Sequence, residues 1–491
     1  MTNALIPAVD AGPAGNWVGG EWSFGGEVLE STDPSTGEVA GRYHSAGAAD
    51  GAAAIAAARR AFDTTDWSRV PERRAVALGE LADNLERRGA DIATMLSREN
   101  GKLLWESRAE VTMAADLLRL NAARARLQVS GQAVETGPGA YWLNRPEALG
   151  VAGVITPWNG PVLLSVRSFA PALAAGCAVV VKLPGQTAMT NALLARAAAE
   201  TTSLPAGVLS ILTEAGNEVA PLLVSSPDVD VLSYTGSTGV GRVIAANAAP
   251  TVKRLTLELG GKTPLVIFDD VDVDALVPLV VRACTFMNGQ YCATGSRVLV
   301  QRGVADAFRS RLTAALAAVR VGPALDPAAQ LGPLIDHAAV ERVDRIVEDA
   351  SAYGTVLVRG GAPTDPRLAG GAFFRPALIE VDSVDAPLVQ SEVFGPVQTF
   401  EVFEDEADAI SRANATEYGL AAAVFSGDET RARRVARELR VGSVWLNTWG
   451  LGTQQLAGDP VKQSGYGSTA GSAAVETYQH LKRYGTAGPR P

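Results

Sequence analysis

Three residues of this sequence have side chains and neighbours that suit nucleophilic chemistry. Cys292 lies in the segment FMNGQYCATGSR, a loop-like run whose glycines and polar residues would leave a thiol accessible. Glu258, in LELGGK, ends a β-rich run, where a carboxylate in a cleft can act as a base. Asn159, in TPWNGP, follows another β-rich run, so its amide N–H could face negative charge that develops on a ligand oxygen.

Each of these residues also has an ordinary structural explanation. An isolated cysteine is usually a small buried hydrophobe, and we expect Cys177 and Cys284 to be core residues of that kind. Glu258 could equally be a surface glutamate before a turn. Asn159 could be a turn-forming or helix-capping residue. Viewed one at a time, the structural explanation is favoured for Cys292 and Asn159 and equals the functional one for Glu258.

A glycine-rich turn and a lysine predict contacts with a phosphate or a ribose. The run YTGSTGVG follows a β-rich run and opens a helix, so backbone N–H groups and the Ser237 hydroxyl could contact a pyrophosphate. It departs from the G-x-G-x-x-G fingerprint and therefore does not predict a standard Rossmann site. Lys182 ends the run AVVVK, where it could reach a ribose hydroxyl; a solvated surface lysine is the alternative.

Composition excludes several other classes of function. His44, His337 and His480 lie far apart without His or Cys neighbours at ligand spacing, so we expect no metal site. The 43 basic and 53 acidic residues give a net charge of −10, which opposes general binding to nucleic acid or anionic membranes. Without a bilayer-spanning run, a leader pattern or a CxxC pair, the chain is expected to be cytoplasmic.

The elements that must position these residues alternate between β-rich and helical runs. From about 150 to 270 the β-rich runs are VAGVIT, AVVVK, GVLSIL, VDVLSYT and RLTLEL, and after 262 they are PLVIF, RVLVQ, TVLV, VQTFEVF, AAAVFS and SVWLN. Helices are predicted at 50–63, 71–97, 105–124, 187–201, 240–249, 304–319 and 428–439. This rhythm predicts two α/β lobes with parallel sheets, and the polar stretch 125–145 predicts a projecting hairpin.

The candidate residues belong to a series of motifs in a fixed order. Along the chain these are TPWN, VK, TGSTGVG, LELGGK, GQYC, SEVFGP and KQSGYG. The ordered series resembles the NAD(P)-dependent aldehyde dehydrogenase superfamily across nearly the whole chain. The resemblance implies an α/β fold with two parallel-sheet lobes, one for the cofactor and one for catalysis, and a β-hairpin oligomerisation arm.

The resemblance also implies a mechanism. The Cys292 thiolate would attack an aldehyde carbon, and Asn159 with the Cys292 backbone N–H would hold the oxyanion. Hydride transfer to a nicotinamide would leave a thioester, which water activated by Glu258 would hydrolyse. An acylating dehydrogenase that uses coenzyme A is the first rival, but such relatives generally lack the base at Glu258. An inactive nucleotide-binding or structural protein is the second, and the joint presence of all three residues argues against it.

Cofactor contacts follow from the same resemblance. Glu392 would bind the nicotinamide ribose, Phe394 would pack near the nicotinamide, and Lys182 and Ser237 would bind the adenine ribose and the pyrophosphate. The other expected cofactor residues are Thr156, Pro157, Trp158, Gly236 and Gly260. In KLPG, Gly185 replaces the glutamate of many NAD-preferring relatives, which removes repulsion of a 2′-phosphate without adding a positive partner. We expect NAD or NADP, with NAD favoured and dual use open.

The resemblance further divides the chain. The expected cofactor domain is 1–124 with 146–256, the catalytic domain is 257–457, and the oligomerisation arm is 125–145 with 458–491. Homodimers or homotetramers are the expected assemblies.

The sequence says less about the aldehyde. NTWG resembles betaine and amino-aldehyde dehydrogenases, so Trp449 is a candidate for contact with a cationic group. The helix expected to line the pocket offers Met113 and Leu117, which favour an apolar or aromatic aldehyde, and Tyr291 suits either class.

Overall fold

The computed structural model describes residues 12–127 and 131–487. The strands are β1 (Asn16–Val18), β2 (Glu21–Ser23), β3 (Val28–Thr32), β4 (Val39–His44), β5 (Ala133–Gly137), β6 (Ala140–Ala148), β7 (Val151–Ile155), β8 (Ala178–Pro184), β9 (Leu209–Glu214), β10 (Val231–Thr235), β11 (Arg254–Glu258), β12 (Thr263–Ile267), β13 (Gly295–Gln301), β14 (Thr355–Val358), β15 (Ala377–Glu380), β16 (Val397–Phe403), β17 (Ala421–Phe425), β18 (Ser443–Leu446), β19 (Gly465–Tyr466) and β20 (Gln479–Thr486). The α-helices are α1 (Ala48–Thr64), α2 (Pro71–Arg87), α3 (Gly89–Asn100), α4 (Leu104–Arg126), α5 (Pro161–Ala175), α6 (Ala188–Ala199), α7 (Val219–Ser225), α8 (Thr238–Ala248), α9 (Val273–Thr285), α10 (Arg302–Ala317), α11 (His337–Ala350), α12 (Pro387–Gln390), α13 (Glu406–Asn414), α14 (Glu429–Glu438) and α15 (Ala473–Glu476).

The larger sheet has the order β19-β11-β10-β7-β8-β9-β1-β2. Its central strands β11, β10, β7, β8 and β9 run parallel, whereas β1, β2 and β19 pair antiparallel at the two edges. Strands such as β7 and β10 are buried along their whole length, which explains their continuous apolar sequences. The predicted first α/β lobe is confirmed.

The second sheet has the order β14-β15-β16-β13-β12-β17-β18, and only the edge strand β14 is antiparallel. Its core contains buried apolar residues of β12, β13 and β17 packed against α9 and α10. The predicted second α/β lobe is confirmed as well.

One predicted helix differs from the structure. The run 71–97, expected as a single helix, forms α2 and α3 with a break at Arg88, whose φ of −94° and ψ of 5° are not helical. Gly89 follows the break, and glycine has a low helix propensity. α3 then ends where Gly101 adopts the left-handed region at φ 85°, a common helix C-terminus.

A three-stranded antiparallel sheet has the order β20-β6-β5 and joins the predicted hairpin to the C-terminal strand. Residues 128–130 and 488–491 of the predicted arm lie outside the described residues. Within 458–491, β19 instead pairs with β11 in the larger sheet, opposite Glu258. The domain bounds stay a prediction. Over 12–127 and 131–487, no helix combines the length and apolar character needed to cross a membrane.

Candidate active site

Several predicted cofactor residues and the predicted base Glu258 lie along one edge of the larger sheet. Thr156 follows β7, Lys182 lies near the end of β8, Gly236 and Ser237 follow β10, and Glu258 ends β11. These strands are parallel neighbours, so their carboxyl ends meet. The chain runs outward from β7 to β9 and returns on the other side at β10, which makes a topological switch point where α/β sheets open a crevice for ligands.

Residues of the second sheet complete this crevice from the opposite side. Cys292 lies just before β13, and Glu392 and Phe394 lie just before β16. A small pocket is lined by Cys292 together with Tyr291, Glu392, Phe394 and residues of neighbouring loops. The candidate nucleophile and the residues expected at the nicotinamide therefore share one opening.

The loop before Cys292 has an unusual and well-supported backbone. Met287 and Asn288 adopt left-handed conformations at φ 49° and 59°, which non-glycine residues rarely do. The Asn288 side chain donates to the carbonyls of Gly101 (2.9 Å) and Pro333 (2.8 Å) and accepts from the Gly332 N–H (2.7 Å). Such strain persists only where its surroundings enforce it, so this loop is held in position before any ligand binds.

Cys292 differs from the other two cysteines in exposure. Cys177 and Cys284 are fully buried, whereas Cys292 is partly exposed. Burial of its sulfur raises the pKa of the Cys292 thiol to about 12, and the Arg167 cation acts in the opposite direction. The carboxylates of Glu392 and Glu258 add to the rise in this pKa. Burial and the neighbouring carboxylates therefore favour the thiol form of Cys292, and the Arg167 cation favours the thiolate.

Asn159 lies beside the cysteine loop. Its Nδ2 donates one hydrogen to the Gln290 carbonyl at 3.0 Å, two residues before Cys292. The amide has two N–H donors, so the second remains for a ligand oxygen. Asn159 is buried, and fixed donors in a water-poor site stabilise developing negative charge strongly.

A buried ion pair holds the Asn159 loop from behind. Lys102 Nζ donates to Glu110 Oε2 and to the Asn159 carbonyl, while Glu110 Oε1 accepts from the N–H groups of Val162 and Leu163 at the start of α5. Asn100 Nδ2 donates to the Trp158 carbonyl at 2.7 Å. Sequence reasoning missed this support, although the glycine in the run ENGK indicated a helix end next to two polar side chains.

Glu258 is buried and has two neighbours of different kinds. Its Oε1 accepts from the Thr469 hydroxyl at 3.0 Å, and its Oε2 lies 3.7 Å from Arg167 Nη2. Burial raises the pKa of Glu258, whereas the Arg167 cation and the Thr469 hydrogen bond lower it. A carboxylate with a raised pKa suits proton abstraction near neutral pH. Sequence reasoning missed both neighbours, although Arg167 is the only charged residue between 161 and 181.

The two glycines of LELGGK bring both sheets into contact. A Cβ at Gly260 would lie 2.5 Å from Glu392 Oε2, and one at Gly261 would lie 2.4 Å from the Cys292 carbonyl. The Gly261 N–H donates to Glu392 Oε1 at 3.1 Å, and burial raises the pKa of Glu392 to about 7. Only residues without a side chain allow this approach, so the motif joins Glu258, Cys292 and Glu392 in one site.

The crevice has features that fit a dinucleotide. The Thr156 hydroxyl is buried without a hydrogen-bond partner. Ser237 caps α8, whose N-terminal N–H groups favour a phosphate. The rings of Trp158 and Phe394 meet edge to face at 5.5 Å, next to the cysteine pocket. Among the residues that the structure describes, no cluster of three or more His, Cys, Asp or Glu could hold a metal ion.

The surroundings of Gly185 contain two residues that the sequence did not single out. A Cβ at Gly185 would lie 2.3 Å from the Tyr43 hydroxyl, so this tyrosine occupies the space of a side chain there. Glu214, at the end of β9, is buried and pairs in register with Pro184. Its Oε2 has no hydrogen-bond partner and lies 3.7 Å from Lys182 Nζ. A carboxylate from the next strand therefore accompanies Lys182.

The predicted substrate residues occupy different environments. Tyr291 is partly exposed and Met113 is exposed. Leu117 is 2% exposed and belongs to the core around α2, α4 and α5, so its side chain is not free to line an open pocket. Trp449 is also 2% exposed, packs against Phe286 and Tyr291, and donates from Nε1 to the Ala293 carbonyl at 3.2 Å. Its ring supports the cysteine loop and has no free face for a cation.

Comparisons with known proteins agree with this geometry. The aldehyde dehydrogenase family model matches residues 22–484. A betaine aldehyde dehydrogenase of Rhizobium leguminosarum bv. trifolii is 36% identical and covers 96% of both chains. A glutarate-semialdehyde dehydrogenase of Pseudomonas aeruginosa is 35% identical and covers 95% of this chain and 96% of the relative. The crystal structure of a Staphylococcus aureus betaine aldehyde dehydrogenase with NAD+ is 33% identical, has a TM-score of 0.94, and covers 97% of this chain and 96% of that one. The chain therefore belongs to the aldehyde dehydrogenase family and is an NAD(P)-dependent aldehyde oxidoreductase.

Proposed function

We propose that the enzyme converts an aldehyde to a carboxylic acid, with Cys292 as nucleophile, Asn159 as oxyanion donor and Glu258 as base. The observation that carries this proposal is the shared opening of Cys292 with Glu392 and Phe394, which meets Glu258 through the Gly260–Gly261 approach. When bound there, the nicotinamide ring accepts the hydride. The residues of the chain then perform the attack, hold the oxyanion and activate water.

Charge near Cys292 governs its activation. The thiol pKa is raised by burial and lowered by the cation of Arg167, so any further positive charge near the sulfur favours the thiolate. The thiol gives its proton to a solvent water, the sulfur bonds to the aldehyde carbon, and the electrons of the C–O π bond pass to the carbonyl oxygen, which takes the negative charge. Asn159 Nδ2 and the Cys292 N–H are the donors for this oxyanion. After hydride loss, Glu258 takes a proton from water, whose oxygen attacks the thioester and releases the Cys292 sulfur.

The Lys182–Glu214 pair supports a preference for NAD over NADP. Glu214 Oε2 lies 3.7 Å from Lys182 Nζ, so the lysine charge is partly neutralised. The same carboxylate would repel a 2′-phosphate, because like charges in a buried region repel strongly. Gly185 removes one carboxylate from this site, but Glu214 supplies another from the adjacent strand.

Replacing Glu214 by Gln tests the cofactor preference. The expected result is a rise of about tenfold in the ratio of kcat/KM for NADP to that for NAD, because a repulsive charge is removed. Glu218→Gln, which changes an exposed glutamate four residues later, is the matched control and keeps the ratio. An unchanged ratio in Glu214→Gln contradicts this cofactor proposal.

The substrate class is proposed from the side chains around the thiol. Tyr291 and Met113 are accessible and favour an apolar or aromatic part of the aldehyde. Amino aldehydes are the alternative. The names of two relatives contain betaine aldehyde, which carries a cation, and glutarate semialdehyde, which carries a carboxylate. A panel of neutral, cationic and anionic aldehydes distinguishes these classes.

We also propose that copies of the chain assemble through the sheet β20-β6-β5. This sheet exposes the large apolar side chains Val134, Trp142 and Leu481, which a partner would cover. A homodimer or homotetramer is expected. Sedimentation equilibrium measures the mass, and a monomer at micromolar concentration contradicts the proposal.

The central test follows reduced-cofactor absorbance in the presence of NAD or NADP and the aldehyde panel. Cys292→Ala is expected to abolish oxidation while cofactor binding persists, because the nucleophile is lost with little change in volume. Turnover in this variant would refute the assignment of Cys292. Dependence on coenzyme A favours the acylating rival, and absence of turnover with every aldehyde favours the inactive scaffold.

A further inference from the structure

Helix α5 is buried except for one narrow face. Of its residues, only Leu163, Leu164 and Arg167 are partly exposed, and all other positions of Pro161–Ala175 are buried. Residues at this spacing lie on the same side of a helix. α5 begins two residues after Asn159, and Arg167 on this face comes within 3.7 Å of Glu258.

Arg167 is the one charged residue on that face, and its hydrogen bonds are incomplete. Its side chain is 19% exposed, and its Nη2 lies 3.7 Å from Glu258 Oε2, beyond hydrogen-bond distance. Its Nε is buried without a partner. Arg297, by contrast, is fully buried and donates to both oxygens of Glu401 at 2.8 and 2.6 Å. An arginine with idle donors inside a protein is costly unless a ligand uses them.

The guanidinium of Arg167 lies 3.7 Å from Glu258 and close enough to Cys292 and Tyr291 for its charge to act on both. Its positive charge lowers the pKa of the Cys292 thiol, the Tyr291 phenol and the Glu258 carboxyl. These groups come from the cysteine loop and from the end of β11, so Arg167 borders the site from a third element. A molecule bound at Cys292 would lie within the electrostatic reach of this cation.

We infer that Arg167 binds a carboxylate of the substrate, so that the enzyme prefers aldehydes whose carbonyl is joined to a carboxylate by a short carbon chain. This inference rests on the proposed aldehyde oxidation. A guanidinium presents parallel N–H donors that match both oxygens of a carboxylate. Leu163 and Leu164, the other partly exposed residues on this face of α5, are apolar and suit the carbon chain between the two ends.

The existing partner of Arg167 does not satisfy it. Glu258 already accepts from Thr469 at its Oε1, and its Oε2 is too far from Arg167 for a hydrogen bond. A cationic substrate would be repelled by Arg167, and the buried ring of Trp449 offers it no compensating contact. The charge of the site therefore favours an anion over an ammonium group.

Matched pairs of aldehydes test the inference. Glutarate semialdehyde is compared with pentanal and succinate semialdehyde with butanal, because each pair has the same number of carbons, and 4-aminobutanal is the cationic probe. The expected kcat/KM is about 10²-fold higher for the acid of each pair, as for a hydrogen-bonded charge pair, and lowest for 4-aminobutanal. Glutarate is expected to inhibit pentanal oxidation competitively.

Variants of Arg167 separate carboxylate binding from effects on chemistry. Arg167→Met is expected to bring the ratio of acid to alkanal close to one, mainly by raising KM for the acid, and to abolish inhibition by glutarate. Arg167→Lys keeps the charge without the parallel donors and is expected to restore part of the ratio. Arg87→Met, which removes an exposed arginine paired with Glu200, is the matched control and keeps the ratio.

The outcomes distinguish this inference from the proposed function. Oxidation of pentanal and glutarate semialdehyde with equal kcat/KM overturns the role of Arg167 while aldehyde oxidation stands. A preference for 4-aminobutanal, or an acid preference that persists in Arg167→Met, has the same consequence. Absence of oxidation with every aldehyde overturns both proposals.

Discussion

One pair of opposite charge holds the Asn159 loop and another includes Glu258, and the two pairs differ in how completely they are hydrogen-bonded. In the pair Lys102–Glu110, Lys102 contacts both the carboxylate and the Asn159 carbonyl, and Glu110 also accepts two backbone N–H groups. In the pair Arg167–Glu258, the closest charged atoms are 3.7 Å apart and Arg167 Nε has no partner. Lys102 and Glu110 are also buried more deeply than Arg167, whose side chain is 19% exposed, so the two pairs differ both in hydrogen bonding and in access to the site.

The first pair has a structural role in the site, and the second has donors and an acceptor that remain available for ligands. Buried charges are tolerated when their hydrogen bonds are complete, and breaking such a pair is strongly destabilising. Lys102–Glu110 meets this condition and fixes the loop of Asn159. Arg167–Glu258 leaves donors and an acceptor oxygen free, which a ligand or an attacking water can use. Incomplete pairing therefore indicates a group reserved for chemistry.

Among variants of these two charge pairs, Glu258→Gln is expected to produce the largest effect on activity. Loss of the base should lower steady-state turnover by about 10²–10⁴-fold, while the first hydride transfer still gives a burst of reduced cofactor. Stopped-flow absorbance measures both phases. Thermal unfolding of the variant should stay close to that of the parent enzyme. Steady-state turnover at the parent rate would remove Glu258 from the mechanism.

Lys102→Met is expected to produce the largest effect on stability. It leaves the Glu110 charge buried without its partner, which costs about 3–5 kcal/mol in the free energy of unfolding. Urea denaturation measures this change. The double variant Lys102→Met with Glu110→Leu should lose less than the sum of the two single variants, because the residues interact. Full additivity would contradict the coupling of this pair.

Arg167→Met is expected to have the opposite effect on stability. Because Arg167 Nε has no partner, its removal should leave the free energy of unfolding unchanged or raise it by about 1 kcal/mol. The Arg167 cation lowers the pKa of Glu258, whereas Asp459 raises it. Removing Arg167 therefore raises the pKa of Glu258, and since we propose Glu258 as a base that acts in its ionised form, the acid limb of kcat should move to higher pH. An acid limb of kcat that moves to lower pH in Arg167→Met would contradict the proximity of Arg167 to Glu258.

Thr469→Val is expected to produce the smallest effect. It removes one hydrogen bond to Glu258 Oε1, worth about 1 kcal/mol, and so changes kcat by a few-fold. The pKa of Glu258 should rise, which moves the acid limb of kcat in the same direction as Arg167→Met. An unchanged pH profile would mean that Thr469 does not hold the reactive form of Glu258.

Much of the fold could be predicted because its buried strands are visible in the sequence as short apolar runs. Runs such as AVVVK and VDVLSYT are continuous and apolar, as strands buried on both faces must be. The break at Arg88 was missed because a single non-helical residue leaves the helical pattern on both sides almost unchanged. Short strands such as β1 and β2 were missed because they are held by pairing with distant residues.

The candidate catalytic residues could be predicted from sequence motifs, whereas the residues that contact them could not. Cys292, Glu258 and Asn159 lie in ordered motifs, so the sequence could single them out as predictions. Arg167 and Thr469 lie in no such motif, and their importance depends on distances to Glu258 that only the folded chain fixes. Leu117 was expected in the pocket, but the rotation of α4 turns it into the core.

The contact of Tyr43 with Gly185 makes the two positions interdependent. A Cβ at 185 would lie 2.3 Å from the Tyr43 hydroxyl, and Tyr43 comes from β4, far from β8 in the chain. An acidic side chain at 185 therefore requires Tyr43 to shift or to be replaced by a smaller residue. Because we propose position 185 as part of the cofactor site, redesign of that site should treat positions 43 and 185 as one unit, together with the strand pair β3-β4 that carries Tyr43.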